Sequence, residues 1–214
     1  MSGILDLLNS DLGKTLISSA SKQFGQDEGK TTSALSTALP LILGAMKNNA
    51  STPEGASGLL NALGNNKHSG GILDNLGSIL GGSGVDEDVL NDGAGILGHV
   101  FKGKEQNVAQ AVSKNSGIDI GTAMNILKVA GPLVMGALGK ETRQKGVADQ
   151  NGIGDLLGGM LGGASSDQQS LVTQLLDADG DGSVIDDVAG MLLGGGNKKK
   201  GGLGGLIGGL FGGK

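Results

Sequence analysis

Near its C-terminal end the chain reads LLDADGDGSVIDDVAGMLL, residues 175–193, and five carboxylates fall between Asp177 and Asp187. Oxygens spaced in this way suit a hard cation. Calcium collects several oxygen ligands at about 2.3–2.6 Å, and alternating aspartates can converge on it where a glycine permits the turn. With Asp177 at loop position 1, Asp179 stands at 3, Asp181 at 5 and Gly182 at the turn position, 6. Ser183 at 7 offers its backbone carbonyl, and Val184 supplies the apolar residue at 8. The second half departs from the EF-hand pattern: position 12, the bidentate acid, is Val188, while Asp186 and Asp187 stand at 10 and 11. The candidate ligands are therefore Asp177, Asp179, Asp181, Ser183, Asp186 and Asp187, with Ca2+ as the expected ion and a shortened loop closed by Asp187 or Asp186. An ion-free acidic loop is the alternative. Two helices have to aim such a loop. Leu171, Leu175 and Leu176 approach it at helical spacing, and Val188 to Leu193 leave it in the same way.

No other constellation reaches this level. Gly13-Lys14-Thr15 and Gly29-Lys30-Thr31 lack the glycine five positions upstream and the preceding strand that a phosphate loop needs. His68 and His99 have no companion at metal-binding or triad spacing, which makes each a surface or loop residue. The chain has no cysteine, so disulfides, thiolate zinc sites and cysteine nucleophiles are excluded. No catalytic residue is assigned.

The elements available to position a site are set by an unusual composition. Among 214 residues there are 44 glycines, 3 phenylalanines and no tryptophan or tyrosine, so leucine, isoleucine, valine and methionine must build the core. The net charge of −5 and the lack of a basic stripe argue against a nucleic-acid binder. The N-terminus lacks a signal-peptide pattern and no run of 18 apolar residues occurs, which with the absent cysteine points to the cytoplasm.

Residues 21–45 and 113–137 match without gaps at an offset of 92, with eleven identities in twenty-five positions, Pro40/Pro132 and Gly25/Gly117 among them. A Gly-Leu segment follows each copy, GGILDNLGSILGG at 70–82 and NGIGDLLGGMLGG at 151–163. Such internal similarity predicts two related modules. Ile4, Leu5, Leu8, Leu12 and Leu16 predict a first helix, with Gly25 and Gly117 as C-terminal stops. Further helices are expected over roughly 30–47 and 120–139, where Pro40 and Pro132 either bend the helix or start a new one. Thr52-Pro53 reads as an N-cap followed by a first-turn proline. Residues 64–71 and 81–95 read as connections, the latter interrupted by the acidic VDEDVL.

The tail has its own pattern. Leu203, Leu206, Ile207, Leu210 and Phe211 recur at i, i+3, i+4, i+7 and i+8 beside Lys198-Lys199-Lys200. Each glycine between them costs a helix about 1 kcal/mol relative to alanine. A flexible tail in water is one reading. The other is an apolar stripe that folds against a membrane or a partner groove through 203–211.

Residues 95–141, GILGHVFKGKEQNVAQAVSKNSGIDIGTAMNILKVAGPLVMGALGKE, resemble the bacterial DUF937 family, a domain of unknown function. The Gly-Leu segment and the LLDADGDGSVIDDVAGML ending are similar to the ending of many members, and 21–45 looks like a weaker second copy. The resemblance implies a compact helical bacterial protein, homeodomain-like in some relatives, with no established catalytic residues. The expectation is an all-α chain of two related multi-helix modules, 1–82 and 83–194. The second carries an EF-hand-like loop at 177–188, and a Gly-rich tail follows at 195–214. Its expected role is structural or interactive and non-enzymatic, with a protein partner or a second copy as binding partner. Peripheral membrane contact through the tail is the alternative, and nucleic acid is disfavoured.

Overall fold

The computed structural model describes residues 3–64 and 85–176. Contacts divide the chain into two units, Met1–Ala178 and Asp179–Lys214, and every described residue belongs to the first. The acidic loop and the tail lie outside the described residues, as do His68 and the Gly-Leu segment 70–82.

The described chain is all helical. Nine helices are present among the described residues: α1 (Asp6–Asn9), α2 (Asp11–Phe24), α3 (Glu28–Asn49), α4 (Pro53–Gly64), α5 (Glu87–Phe101), α6 (Glu105–Ser116), α7 (Ile120–Lys145), α8 (Gln150–Leu161) and α9 (Ser166–Leu176). Two of them organise the rest. In α3 every residue from Thr37 to Met46 is buried, and in α7 every residue from Val129 to Gly139. A helix buried all round must be surrounded by others. Accordingly α3 packs against α2, α5, α6, α7, α8 and α9, while α7 packs against α3 to α6 and α8. Leu35 and Leu127, both fully buried, belong to a single continuous core, so the two sequence segments share one interior. By length and composition α7 could also cross a membrane, yet 67% of its most apolar window is buried against its neighbours.

Local signals fix where these helices begin and end. Asp27 caps α3, its Oδ1 accepting from the amides of Gly29 at 2.7 Å and Lys30 at 3.3 Å. The Gly29-Lys30-Thr31 amides that a phosphate loop would offer to a ligand are thus engaged in an ordinary helix start. Asp119 caps α7, accepting from the Thr122 hydroxyl at 2.6 Å and the Thr122 amide at 2.9 Å. These two bonds hold its carboxyl below the usual carboxylate range. Gly25 and Gly117 end α2 and α6 in the left-handed region, at φ 61° and 69°. Pro53 opens α4, and Thr52 Oγ1 accepts from the Gly55 amide at 3.1 Å.

Two expectations need correction. The first helix divides at Ser10, whose extended backbone interrupts the ladder. Its hydroxyl donates to the Leu7 carbonyl at 2.6 Å and accepts from the Gly13 amide at 3.1 Å, capping both pieces. Residues 87–95 are helical rather than a connection. Asp86 caps α5, and Glu87 and Asp88 in its first turn complement the positive end of the helix dipole, so the acidic run marks a helix start.

Pro40 and Pro132 neither end nor restart a helix; each lies inside one. A helical proline deprives the carbonyl four residues earlier of its amide donor. Here those carbonyls belong to Ser36 and Lys128, and other helices cover both. Gln168 of α9 donates its side-chain amide to the Ser36 oxygen at 2.8 Å. Gly93 of α5 lies so close to Lys128 that a Cβ added to it would sit 1.8 Å from the Lys128 oxygen. The α-hydrogen in that direction points at the freed oxygen, a Cα–H···O contact.

Helix α8 shows how a Gly-Leu sequence folds in this protein. Its four interior glycines, at 152, 154, 158 and 159, cost about 4 kcal/mol of helix propensity together. Burial of Ile153, Leu156, Leu157 and Met160 against α3, α4 and α7 returns roughly 6–12 kcal/mol. Packing is therefore the condition for this helix. The backbone of the N-terminal segment closes onto it, Ile4 donating to the Met160 carbonyl at 3.2 Å.

Candidate functional site

Polar side chains tie the ends of α3 and α5 together and so set the spacing of the helices around them. Asn49, at the end of α3, donates to the Val100 carbonyl in the last turn of α5 at 2.9 Å. Gln23 of α2 exchanges two hydrogen bonds with the Val85 backbone just before α5. With α5 held at both ends, α4 and α5 do not close over α3 and α7 between them. A groove of about 670 Å³ remains, within the range of small-molecule and peptide-anchoring sites.

Its floor is Met46 of α3 and Met135 of α7, both buried. Leu59 and Ala62 of α4 form one wall, and Ile96 and Val100 of α5 the other. Its polar side chains are Asn49, Asn91, Asp92, His99 and Lys102, the last two at the C-terminal end of α5. Methionine suits a floor that must accept irregular apolar surface, because its long unbranched side chain adjusts to fill gaps. Lys102 is the only non-glycine residue with a positive φ among the described residues, at 51°. It caps α5 in a conformation that glycine adopts without strain.

The glycines of the two walls separate into two kinds. Gly93 has a packing reason, the approach to Lys128. Gly58 on α4 and Gly95 on α5 line the groove, and a Cβ built on either meets nothing within 4 Å. Each costs its helix about 1 kcal/mol of propensity and relieves no contact among the described residues. A side chain at either position would project into free space among the described residues.

A second cavity, about 590 Å³, lies between the ends of α4 and α7, lined by Leu63, Thr142, Arg143 and Val147 among others. Among the described residues the buried Thr142 hydroxyl oxygen has no hydrogen-bond partner. This cavity has a smaller apolar lining and a single exposed charge, so the α4–α5 groove is the stronger site.

Comparison with known families places these features. The profile of the family described as bacterial protein of unknown function (DUF937) matches residues 6–141. The chain belongs to the DUF937 family. No curated protein and no solved structure matches it. The family match begins in α1 and ends inside α7, so every residue that lines the groove, from Met46 to Met135, falls within it. The acidic loop and the tail fall beyond its end.

The residues singled out for metal binding, Asp177 to Asp187, lie outside the described residues, and α9 runs to Leu176 immediately before them. Among the described residues no group of three or more histidine and carboxylate side chains is placed to hold a metal. The groove is the feature that sequence reading missed in this DUF937 chain. Its signal was available in Gly58 and Gly95, two glycines inside helical patterns, but 81–95 was read as a connection.

Proposed function

We propose that this DUF937 protein is a non-catalytic interaction module of the cytoplasm, and that its α4–α5 groove receives an amphipathic helix. One observation carries the reading: a groove with an apolar floor, bordered by Gly58 and Gly95, where an added Cβ would meet nothing within 4 Å among the described residues. Helix-in-groove recognition uses an i, i+3, i+4, i+7 stripe laid into such a surface. The repeat of 21–45 in 113–137 reads as duplication of a helical module, with segments 1–82 and 83–194 as its two copies. On this view the groove is a product of packing the copies together. A synthetic peptide with a leucine stripe and a lysine-rich opposite face tests the reading in amide NMR spectra of the full chain. Shifts should concentrate on residues 55–62 and 91–102. Uniform or absent shifts at saturating peptide would discard it.

A second reading concerns the acidic loop. Spacing at positions 1, 3, 5 and 7 favours calcium held by Asp177, Asp179, Asp181 and the Ser183 carbonyl, with Asp186 or Asp187 completing the shell. Neutralising mutually repelling carboxylates would fix the loop directly after α9, so the expected role is order rather than sensing. Calorimetry with calcium should give a binding isotherm and a raised melting temperature, both lost in Asp177→Ala/Asp181→Ala. No heat and an unchanged melt in millimolar calcium would end the idea.

A further inference from the structure

The tail repeats the one Gly-Leu helix whose packing is described. Residues 201–213, GGLGGLIGGLFGG, align without gaps on residues 151–163, NGIGDLLGGMLGG, at an offset of 50. Seven of the thirteen positions are identical, and Leu203, Leu206, Ile207 and Leu210 stand where α8 has Ile153, Leu156, Leu157 and Met160. In α8 those four positions are the buried stripe, lying against α3 and α4. A sequence of this kind gains its helix only by packing, as the propensity and burial terms above require. The tail thus carries the sequence pattern of a helix that the bundle itself receives, and among the described residues the groove walled by α4 stands open.

Resting on the interaction-module reading, we infer that the groove of one copy receives residues 203–211 of a second copy. Length and charge both fit. Nine helical residues extend about 14 Å, less than the roughly 18 Å of the twelve-residue α4 wall. Residues 195–214 contain four lysines and no acidic side chain, whereas the rest of the chain is net acidic. The attraction acts between the tail and the chain as a whole, since Asp92 and Lys102 balance within the groove, so it assists the encounter and is screened by added salt. Because tail and groove are different surfaces, the contact is heterologous and propagates head to tail into a ring or an open chain.

Sedimentation of the full chain over a range of concentrations tests this, with two variants of the proposed contact and Leu76→Asp/Ile79→Asp as a third for comparison. Leu206→Asp/Ile207→Asp removes the stripe outside the described helices. Gly95→Leu fills the groove where a new side chain meets open space, and it should melt no lower than the parent. The unaltered chain should gain mass with concentration, and each of the two contact variants should weaken association about tenfold or more, a loss of about 1.4 kcal/mol per decade. Mixing the tail variant with the Gly95→Leu variant should restore one contact per pair, since each supplies the half the other lacks. Four outcomes overturn the inference: a single-chain mass at every concentration; association that survives both variants; tail-dependent liposome binding without a change in mass; or loss of association only in Leu76→Asp/Ile79→Asp, which would make the 70–82 segment the occupant. If the leucine-stripe peptide still perturbs the groove while the tail variants change nothing, the module reading stands and the tail inference alone falls. If neither binds, both fall.

Discussion

Gly93→Ala should lower the stability of the bundle by about 3 kcal/mol, while Gly95→Ala, two residues along the same helix, should raise it by up to about 1 kcal/mol. The two glycines have the same helix propensity, and replacing either by alanine removes the same backbone entropy from the unfolded chain. Their surroundings differ completely. A Cβ on Gly93 would lie 1.8 Å from the Lys128 carbonyl oxygen, 2.6 Å from its carbon and 2.9 Å from its Cα. All three are backbone atoms of a buried helix and cannot rotate aside. Helix α5 would have to withdraw from α7, losing packing at Ile96 and Leu97 and uncovering the carbonyl that Pro132 frees. For a unit of this size about 3 kcal/mol corresponds to a fall of roughly 6–12 °C in Tm. Thermal melts of the two variants side by side provide the check. Equal melting temperatures would show that α5 does not make the close approach that the geometry gives it.

The second large effect tests whether the two halves of the sequence fold as one body. Leu35 in α3 and Leu127 in α7 are both fully buried in the same core. Leucine-to-alanine changes at such sites remove transfer energy and leave a cavity, at a cost of about 2–5 kcal/mol each. With α3 packed on α7, either change should move the entire unfolding transition, because neither half retains its own sealed interior. Independently folding modules would behave differently. Leu35→Ala would then shift one of two transitions and leave the other in place. Denaturant unfolding followed by far-UV circular dichroism distinguishes the cases, and a biphasic curve in either variant would rule out the shared core.

Much of the helical framework was legible because its signals are local. Thr52-Pro53 starts one helix, and Gly25 and Gly117 stop two. These depend on residues within a few positions of each other, so sequence order is enough to find them. Ser10 was missed because an apolar period runs through it, and the period reports a shared buried face without requiring an unbroken helix. The acidic VDEDVL was misread for a related reason. Acidic residues beside glycines look like a turn, yet Asp86, Glu87 and Asp88 are the cap and first turn of α5. The groove left a weaker trace still. Met46, Leu59, Ile96 and Met135 each read simply as core, and only their assembly from four helices leaves space between them.

The sequence by itself determined the all-α class, the helix stops, the positions of two prolines and the family, because composition, caps and periodicity act over one or two turns. It also supplied the spacing of the Asp177–Asp187 carboxylates and the apolar stripe of the tail. Only the tertiary structure decided what each proline costs and what each glycine permits. Ser36 and Lys128 lose their helical donors by a local rule, but Gln168 and Gly93, far away in the chain, determine that both oxygens are covered. Gly93 and Gly95 are interchangeable to any local rule. They differ because one faces a carbonyl across a helix contact and the other faces an open groove, and close approach belongs to the packing of two elements rather than to either alone.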